Sequence, residues 1–411
     1  DSCRAHHTPL PPRCTVRRFL VTTSFVVALL AAPPGVALAA SELTVGLIAS
    51  RNQPAGAAQT LVGTAWAAEV RASGGVFGTP VRLLTADDGG DPQRAAELAT
   101  EQISEGALVI VCCTTAAASR LVAAVAESAG VTLLAPSPYE QASRPGYWAF
   151  SLAPSDTDAL AAIVADAYKK GRTSLALLAP DLPLAAAASE QLVALGGIVG
   201  IRLMADERYR AGQVELRPEA LLVASYRPGA VVVLGFADDL ENAASALRRR
   251  GYEGDVYGRS LPFFPGGELP AAARVADMLV AAPPVAALAG NDRTGLTYPD
   301  GSEALGPCTE VAIRDAARLA VAPGALRNAL STAPVLGGLD LVRSAFEQVL
   351  ALQIPANDER VLRQAVRDAL VGLPATCTGA GSLDLEDGRA SAVQPRGLAI
   401  VRVTQTGLAI P

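Results

Sequence analysis

Histidine is almost missing from this chain. Of 411 residues only His6 and His7 are histidine, and both lie ahead of the apolar run that begins at Phe19. The remainder therefore has no Ser-His-Asp or Cys-His nucleophile arrangement, and a catalytic zinc site would lack its commonest ligand. Serine–lysine and carboxylate chemistry stay open in principle. There is no excess of positive charge either: 34 Lys and Arg stand against 40 Asp and Glu. Nucleic-acid binding needs a basic surface, so no such partner is expected. Aromatic residues make up only 4% of the chain, while Ala, Leu, Val and Gly dominate, which suits helix-on-sheet layers better than a β-sandwich. A phosphate-loop lysine motif and a dinucleotide glycine fingerprint after the first strand are both missing. No late segment is long and apolar enough to cross a bilayer.

The N-terminus reads as an export leader. Arg17 and Arg18 precede the apolar run Phe19–Ala32, and Ala37-Leu38-Ala39 is a small-x-small cleavage motif. The leader is expected to span 1–39, with cleavage near Ala39 and a periplasmic or secreted product. An uncleaved anchor is the competing reading, against which the short apolar run and the Pro33-Pro34-Gly35 break count. Removing 1–39, which holds four Arg and one Asp, takes the formal net charge from −6 to −9. No cysteine follows the apolar run in a lipid-attachment setting.

Beyond the leader the pattern alternates strand and helix. LTVGLI (43–48), VRLLTADD (81–88), the apolar run 107–113 and 131–136 read as strands, with helices over 57–72, 92–104 and 116–129 between them. This is a βαβ series, which implies a parallel sheet covered on both faces. The stretch 149–155 leads out of the unit. A second series follows: helix 156–169, strand 174–179, helix 184–195, strand 198–204, helix 218–226, strand 230–236, helix 239–250, and strands 255–260 and 278–284. Helices near 309–321, 339–353 and 358–371, a turn at Glu386-Asp387-Gly388 and a strand 398–404 complete the chain.

In an open α/β sheet, ligands bind beyond the carboxyl ends of the strands. Thr114 and Thr115 stand at such an end, between ALVIVCC and a helix, where free N–H groups and the helix dipole suit an anion. A plain N-cap role for one of them is the alternative. Ser50 and Asn52, after the first strand, are placed to line the same cleft, although loop polarity alone also accounts for them. Asp91, before Pro92, reads as a helix cap, and Asp87 and Asp88 as a strand end; together they are not taken as a metal site, and no cofactor is expected. Cys112 and Cys113 are read as small buried hydrophobes pointing to opposite faces of a strand. Cys308 and Cys377 are the candidates for a disulfide, a bond that an exported chain permits but whose pairing sequence does not fix.

The segment ASGGVFGTPVRLLTADDGGDPQRAAELATEQI carries a helix ending in Gly74-Gly75, a further Gly78, a strand, the acidic turn Asp87, Asp88, Asp91-Pro92, and an Ala-rich helix with Ala95 and Ala99. It resembles type I periplasmic substrate-binding proteins of the leucine/isoleucine/valine-binding class, which serve ATP-driven (ABC) importers. VIVCCTTAAAS, LLAPSPYEQAS, FSLAPSD, LRRRGY and TGAGSLDLEDG extend the match over nearly the whole exported chain. The resemblance implies an α/β fold of two Rossmann-like lobes joined by a three-segment hinge, with a small molecule held between them and presented to ABC permease membrane subunits. On this pattern the first lobe takes 40–154 and 285–378, the second 155–284 and 379–411, and the protein acts as a monomer.

By the same resemblance Thr114 and Thr115 hold a ligand carboxylate, Ser137 is a second contact, and Tyr139 walls the pocket or lies free in a loop. The second lobe departs from the pattern. Phe236 falls where an aromatic meets the ligand, core packing being the alternative, and Asp238 follows it. Ser260 stands where amino-acid binders place a carboxylate for the ammonium group, and Asp181-Leu182-Pro183 replaces the usual Tyr-Gly. Asp181, Glu207 or Asp238 is then needed for the missing charge; otherwise the solute is a non-amino acid or an amide. The expected function is therefore capture of a small carboxylate-bearing solute for an importer, without catalysis. A ligand sensor on the same fold and an enzyme with two nucleotide-type lobes are the rivals.

Overall fold

The computed structural model describes residues 42–137, 147–235, 237–258, 277–289, 306–353, 358–386, 391–404 and 407–409. The expected leader, the turn at 386–388 beyond Glu386, Tyr139, Phe236, Ser260 and the side chain of Asp238 lie outside these residues. The first sheet is built from β1 (Leu43–Ala49), β2 (Val81–Asp87), β3 (Val109–Cys112), β4 (Thr132–Ala135) and β5 (Ala149–Ser151). Its order is β2-β1-β3-β4-β5, parallel throughout. The stretch expected only to lead out of the unit thus contributes β5, because the run AFS extends the buried edge beside β4.

Helices α1 (Pro54–Ala72), α2 (Pro92–Ser104) and α3 (Ala116–Ala129) connect these strands. Each boundary has a local cause. Pro54 and Pro92 occupy first turns, where a missing N–H costs nothing. Asp91 caps α2 by accepting from Gln93 N–H at 2.9 Å. Gly130, at φ 61°, ends α3 in the left-handed conformation. Strand alternation then divides the core. Leu43, Val45 and Leu47 pack with Val62 and Trp66 of α1, while Ile48, Ile110 and Leu133 pack with Leu98 of α2 and Val122 of α3.

The second sheet comprises β6 (Ser174–Pro180), β7 (Arg202–Tyr209), β8 (Ala230–Val233), β9 (Asp255–Gly258), β10 (Leu279–Ala282), β13 (Ala399–Thr404) and β14 (Gly407–Ala409). Its order is β7-β6-β8-β9-β10-β13-β14, the last two strands antiparallel. Helices α4 (Asp156–Lys169), α5 (Pro183–Val199), α6 (Arg217–Ser225) and α7 (Ala237–Arg249) belong to this series. The strand expected over 198–204 is a correction. Ile198 and Val199 form the last turn of α5, capped by Gly200 at φ 79°, and Ile198 points to solvent; β7 begins only at Arg202.

Helices α8 (Ala286–Ala289), α9 (Thr309–Val321), α10 (Ala329–Ala351) and α11 (Glu359–Gly372) precede the hairpin β11 (Thr376–Thr378) and β12 (Gly381–Leu383). Helix α10 starts ten residues before the expected 339 and carries Pro334 inside it. Leu330, Ala333, Leu336 and Leu339 are buried, and this apolar packing outweighs the one hydrogen bond that proline removes. The chain passes between the two sheets at 152–155, at 283–285 and again after β11, so the fold is two α/β lobes on a three-segment hinge.

The reading of Cys112 and Cys113 also changes. Both are fully buried, but their sulfurs are bonded to each other. Strand β3 ends at Cys112, so the strand alternation that would point them to opposite faces does not reach Cys113. Cys308, at the start of α9, and Cys377, in β11, are joined as a second disulfide with a Cα–Cα distance of 5.1 Å.

Candidate functional site

The first sheet reverses its strand order between β1 and β3, since β2 lies on one side and β3 to β5 on the other. Loops leaving the carboxyl ends of β1 and β3 diverge there, which opens a crevice. Ser50 N–H donates to Thr114 Oγ1 at 3.0 Å, and the Thr114 hydroxyl donates to Gln59 Oε1 at 2.8 Å. Gln59, 2% exposed on α1, donates through Nε2 to Ser331 O at 3.2 Å. One threonine thus ties the β1 loop to α1, and through Gln59 to α10. Gly56 sets the fit: a Cβ there would overlap the Ser50 carbonyl.

Thr115 caps α3. Its Oγ1 accepts from Ala118 N–H at 3.3 Å, which leaves the hydroxyl proton to be donated elsewhere. Capping and anion binding are therefore compatible at this residue. The N–H groups of Ala116 and Ala117 belong to the first turn, where no intrahelical acceptor exists. Ser119 Oγ, fully buried, donates to Thr115 O at 3.2 Å or shares a proton with Ser137 Oγ at 2.8 Å. Ser50 Oγ is buried without a hydrogen-bond partner among the described residues. The structure thus gathers Ser50, Thr114, Thr115 and Ser137 at the carboxyl ends of β1, β3 and β4.

Asn52 is exposed and turned to another task, donating through Nδ2 to Gly89 O at 2.7 Å. Asp87 accepts from Gly89 and Arg51 N–H, both at 2.9 Å, and these bonds, the Gly89 one foremost, hold its carboxyl below the ordinary aspartate range. Asp88 Oδ1 accepts from Gly90 N–H at 2.9 Å. The acidic turn is thus used in shaping the β2–α2 loop.

The second sheet repeats the reversal between β6 and β8. Asp181 follows β6 with its side chain exposed, and its N–H donates to Tyr209 O at 2.7 Å. Glu207 is half-buried on the edge strand β7. Tyr209 is buried and donates its hydroxyl proton to Leu234 O at 2.7 Å, bracing the end of β8. Gln59, Ser119 and Tyr209 all escape the sequence reading. Their signal is a polar group at an apolar position of the helical or strand repeat, which acquires meaning only when its partner is known.

Residues 42–295 match the model of a family described as periplasmic binding protein, well over half the chain. The chain belongs to the periplasmic binding protein family. It also resembles solved structures of binding proteins. An extracellular ligand-binding receptor from Rhodopseudomonas palustris HaA2 is 18% identical, with a TM-score of 0.62 over 90% of this chain and 100% of that one. LivJ from Streptococcus pneumoniae, a branched-chain amino acid transporter substrate-binding protein in complex with isoleucine, gives 16% and 0.57 over 89% and 97%. The leucine-binding protein LivK from Thermotoga maritima gives 15% and 0.56 over 90% and 97%. At such identities the likeness concerns the fold. No curated protein sequence matches the chain. Periplasmic binding proteins are extracytoplasmic receptors rather than enzymes, and among the described residues no helix of this one is long and apolar enough to cross a membrane.

Proposed function

We propose that the protein is an exported solute-binding protein. It captures a small carboxylate-bearing molecule, an amino acid or a related acid or amide, between its lobes and presents it to the permease of an ABC importer. It works as a monomer with the leader 1–39 removed. The observation that carries this reading is the amino end of α3, where Thr115 has a hydroxyl proton to donate beside first-turn N–H groups. The helix end alone favours an anion by about 0.3–1 kcal/mol. Micromolar affinity corresponds to about −8 kcal/mol, so most of the binding energy must come from further hydrogen bonds and apolar burial in the closed cleft. Asp181 and Asp238 are the second-lobe residues put forward for a ligand's ammonium group; Glu207, on the edge strand, is the weaker candidate.

The test is a thermal-shift screen at pH 7 with leucine, isoleucine, valine, short aliphatic acids, aromatic acids and their amides. Calorimetry then follows on Thr115→Ala and Thr115→Ser with the compound giving the largest shift. At least a tenfold loss for the alanine variant and near-normal affinity for serine are expected. Equal affinity in all three proteins, or that compound crystallising outside the interlobe gap, overturns the proposal.

A further inference from the structure

The hinge contains a junction that the binding site itself does not require. The third crossing leaves β11 at Gly379, whose N–H donates to Asp315 Oδ2 at 2.7 Å and whose carbonyl accepts from Val285 N–H at 3.2 Å. Val285 lies in the second crossing and Asp315 on α9, so three segments meet at one residue. A side chain would be crowded here: a Cβ at 379 would stand 3.0 Å from the Asp315 Cβ, which would have to give by a few tenths of an ångström, and in ordinary contact, 3.5 Å, with that of Val285. Beyond β12, about a dozen residues after Gly379, the third segment meets the end of β5 and the first crossing, where Ala392 N–H donates to Ser151 O at 2.8 Å and Ser391 Oγ to Ala153 O at 2.9 Å.

Asp315 is itself held from the first-lobe side. Its side chain is 1% exposed, and its other oxygen faces Arg318 Nη1 at 3.4 Å and Arg314 Nε at 3.5 Å. Arg318 continues to Asp340 of α10 at 2.6 Å and Glu69 of α1 at 3.0 Å, and Trp66 of α1 donates to Asp340 at 3.1 Å. The Cys308–Cys377 bridge ties the start of α9 to the residue two places before Gly379. A covalent bond and a buried carboxylate therefore fasten the same short stretch of hinge to the same helix.

We propose that Asp315 is a positioning residue for lobe closure, fixing the pivot at Gly379 so that the lobes move about one axis, and acting on binding only through that motion. This rests on the two-lobe capture reading. A pivot with fewer free torsions leaves fewer open arrangements, so less conformational freedom is lost on closure.

The experiment uses the full exported chain without ligand, with one spin label on each lobe, at Ser128 in the first and Arg249 in the second. The distance distribution is read by pulsed electron resonance for wild type, Asp315→Asn and Asp315→Ala. The asparagine keeps an acceptor for Gly379 N–H while removing the charge, and it covers the case in which alanine does not fold. Expected are a narrow distribution for wild type at pH 7, a clearly broader one for alanine, and an intermediate width for asparagine. Burial raises the Asp315 carboxyl above the ordinary range against the bonds from Gly379 and the two arginines, with Asp340 adding to the rise. Wild type should therefore broaden on acidification while asparagine stays flat, a response that a purely packing role would not produce. Equal widths for all three proteins, or an equal response to pH in wild type and asparagine, overturn the proposal. Failure of every compound to bind would end the importer reading and leave this measurement intact.

Discussion

Thr114 commits its hydroxyl proton to Gln59 and a lone pair to Ser50 N–H, so it shapes the cleft rather than standing free in it. Thr115, one residue later, keeps its proton, and this is why the two adjacent threonines are expected to respond differently. Gln59→Leu removes an acceptor and a donor from a buried position. It is expected to cost about 1–3 kcal/mol, read as a lower midpoint in urea with an unchanged slope. Asp315 gives a prediction with a definite sign. Its folded-state value is raised, so the folded chain holds this proton to higher pH than the unfolded chain does. The group favours folding below the unfolded value, and that contribution is lost as pH rises through the folded one. Asp315→Asn lacks this slope, and its stability relative to wild type should increase from about pH 4 to about pH 7, near and above the ordinary aspartate value. Urea midpoints at both pH values check it. A charge that costs stability yet holds a pivot fits the usual exchange between stability and function.

At the scale of elements, the caps and stops decide the geometry of the cleft. Helix α3 begins where it does because Thr115 accepts from Ala118 N–H, and its start faces the crevice because β3 ends beside the reversal of strand order. Thr115→Ala should lower stability by about 1 kcal/mol through the lost cap, apart from any effect on binding. Gly200 offers a cleaner case, since a Cβ there meets nothing within 4 Å and only its φ of 79° is strained by a side chain. Gly200→Ala is expected to cost about 1–2 kcal/mol with no change in solute affinity. The alternation of elements was legible because apolar runs and Gly or Pro punctuation coincide. The α5–β7 boundary was not: IVGI is apolar enough for a strand, and only the exposure of Ile198 shows that it is a helix end.

For the whole molecule, the Cys308–Cys377 bridge closes the loop that contains α9, α10 and α11. Replacing both cysteines by alanine should cost about 4 kcal/mol on the chain-entropy account of so long a loop. With Cys112 and Cys113 also bonded, a chain lacking residues 1–39 should show no titratable thiol before reduction, and four after unfolding and reduction. The placement of the candidate residues was legible in part. Thr114, Thr115, Ser50 and Ser137 stand at strand ends, where sequence order alone predicts a crevice. Asn52 sits at such an end too, but its amide serves the β2–α2 loop.

Sequence by itself determined the alternating α/β plan, because that follows from local apolar repeats and turn residues, while the family showed in the resemblance of the 74–99 segment and the later motifs. Tertiary structure decided which hydroxyls are already committed, that adjacent cysteines are bonded, and that Asp315 meets Gly379. Thr114 and Ser50, like Asp315 and Gly379, are separated by 64 residues, and a hydrogen bond over such a span exists only once packing has fixed both ends.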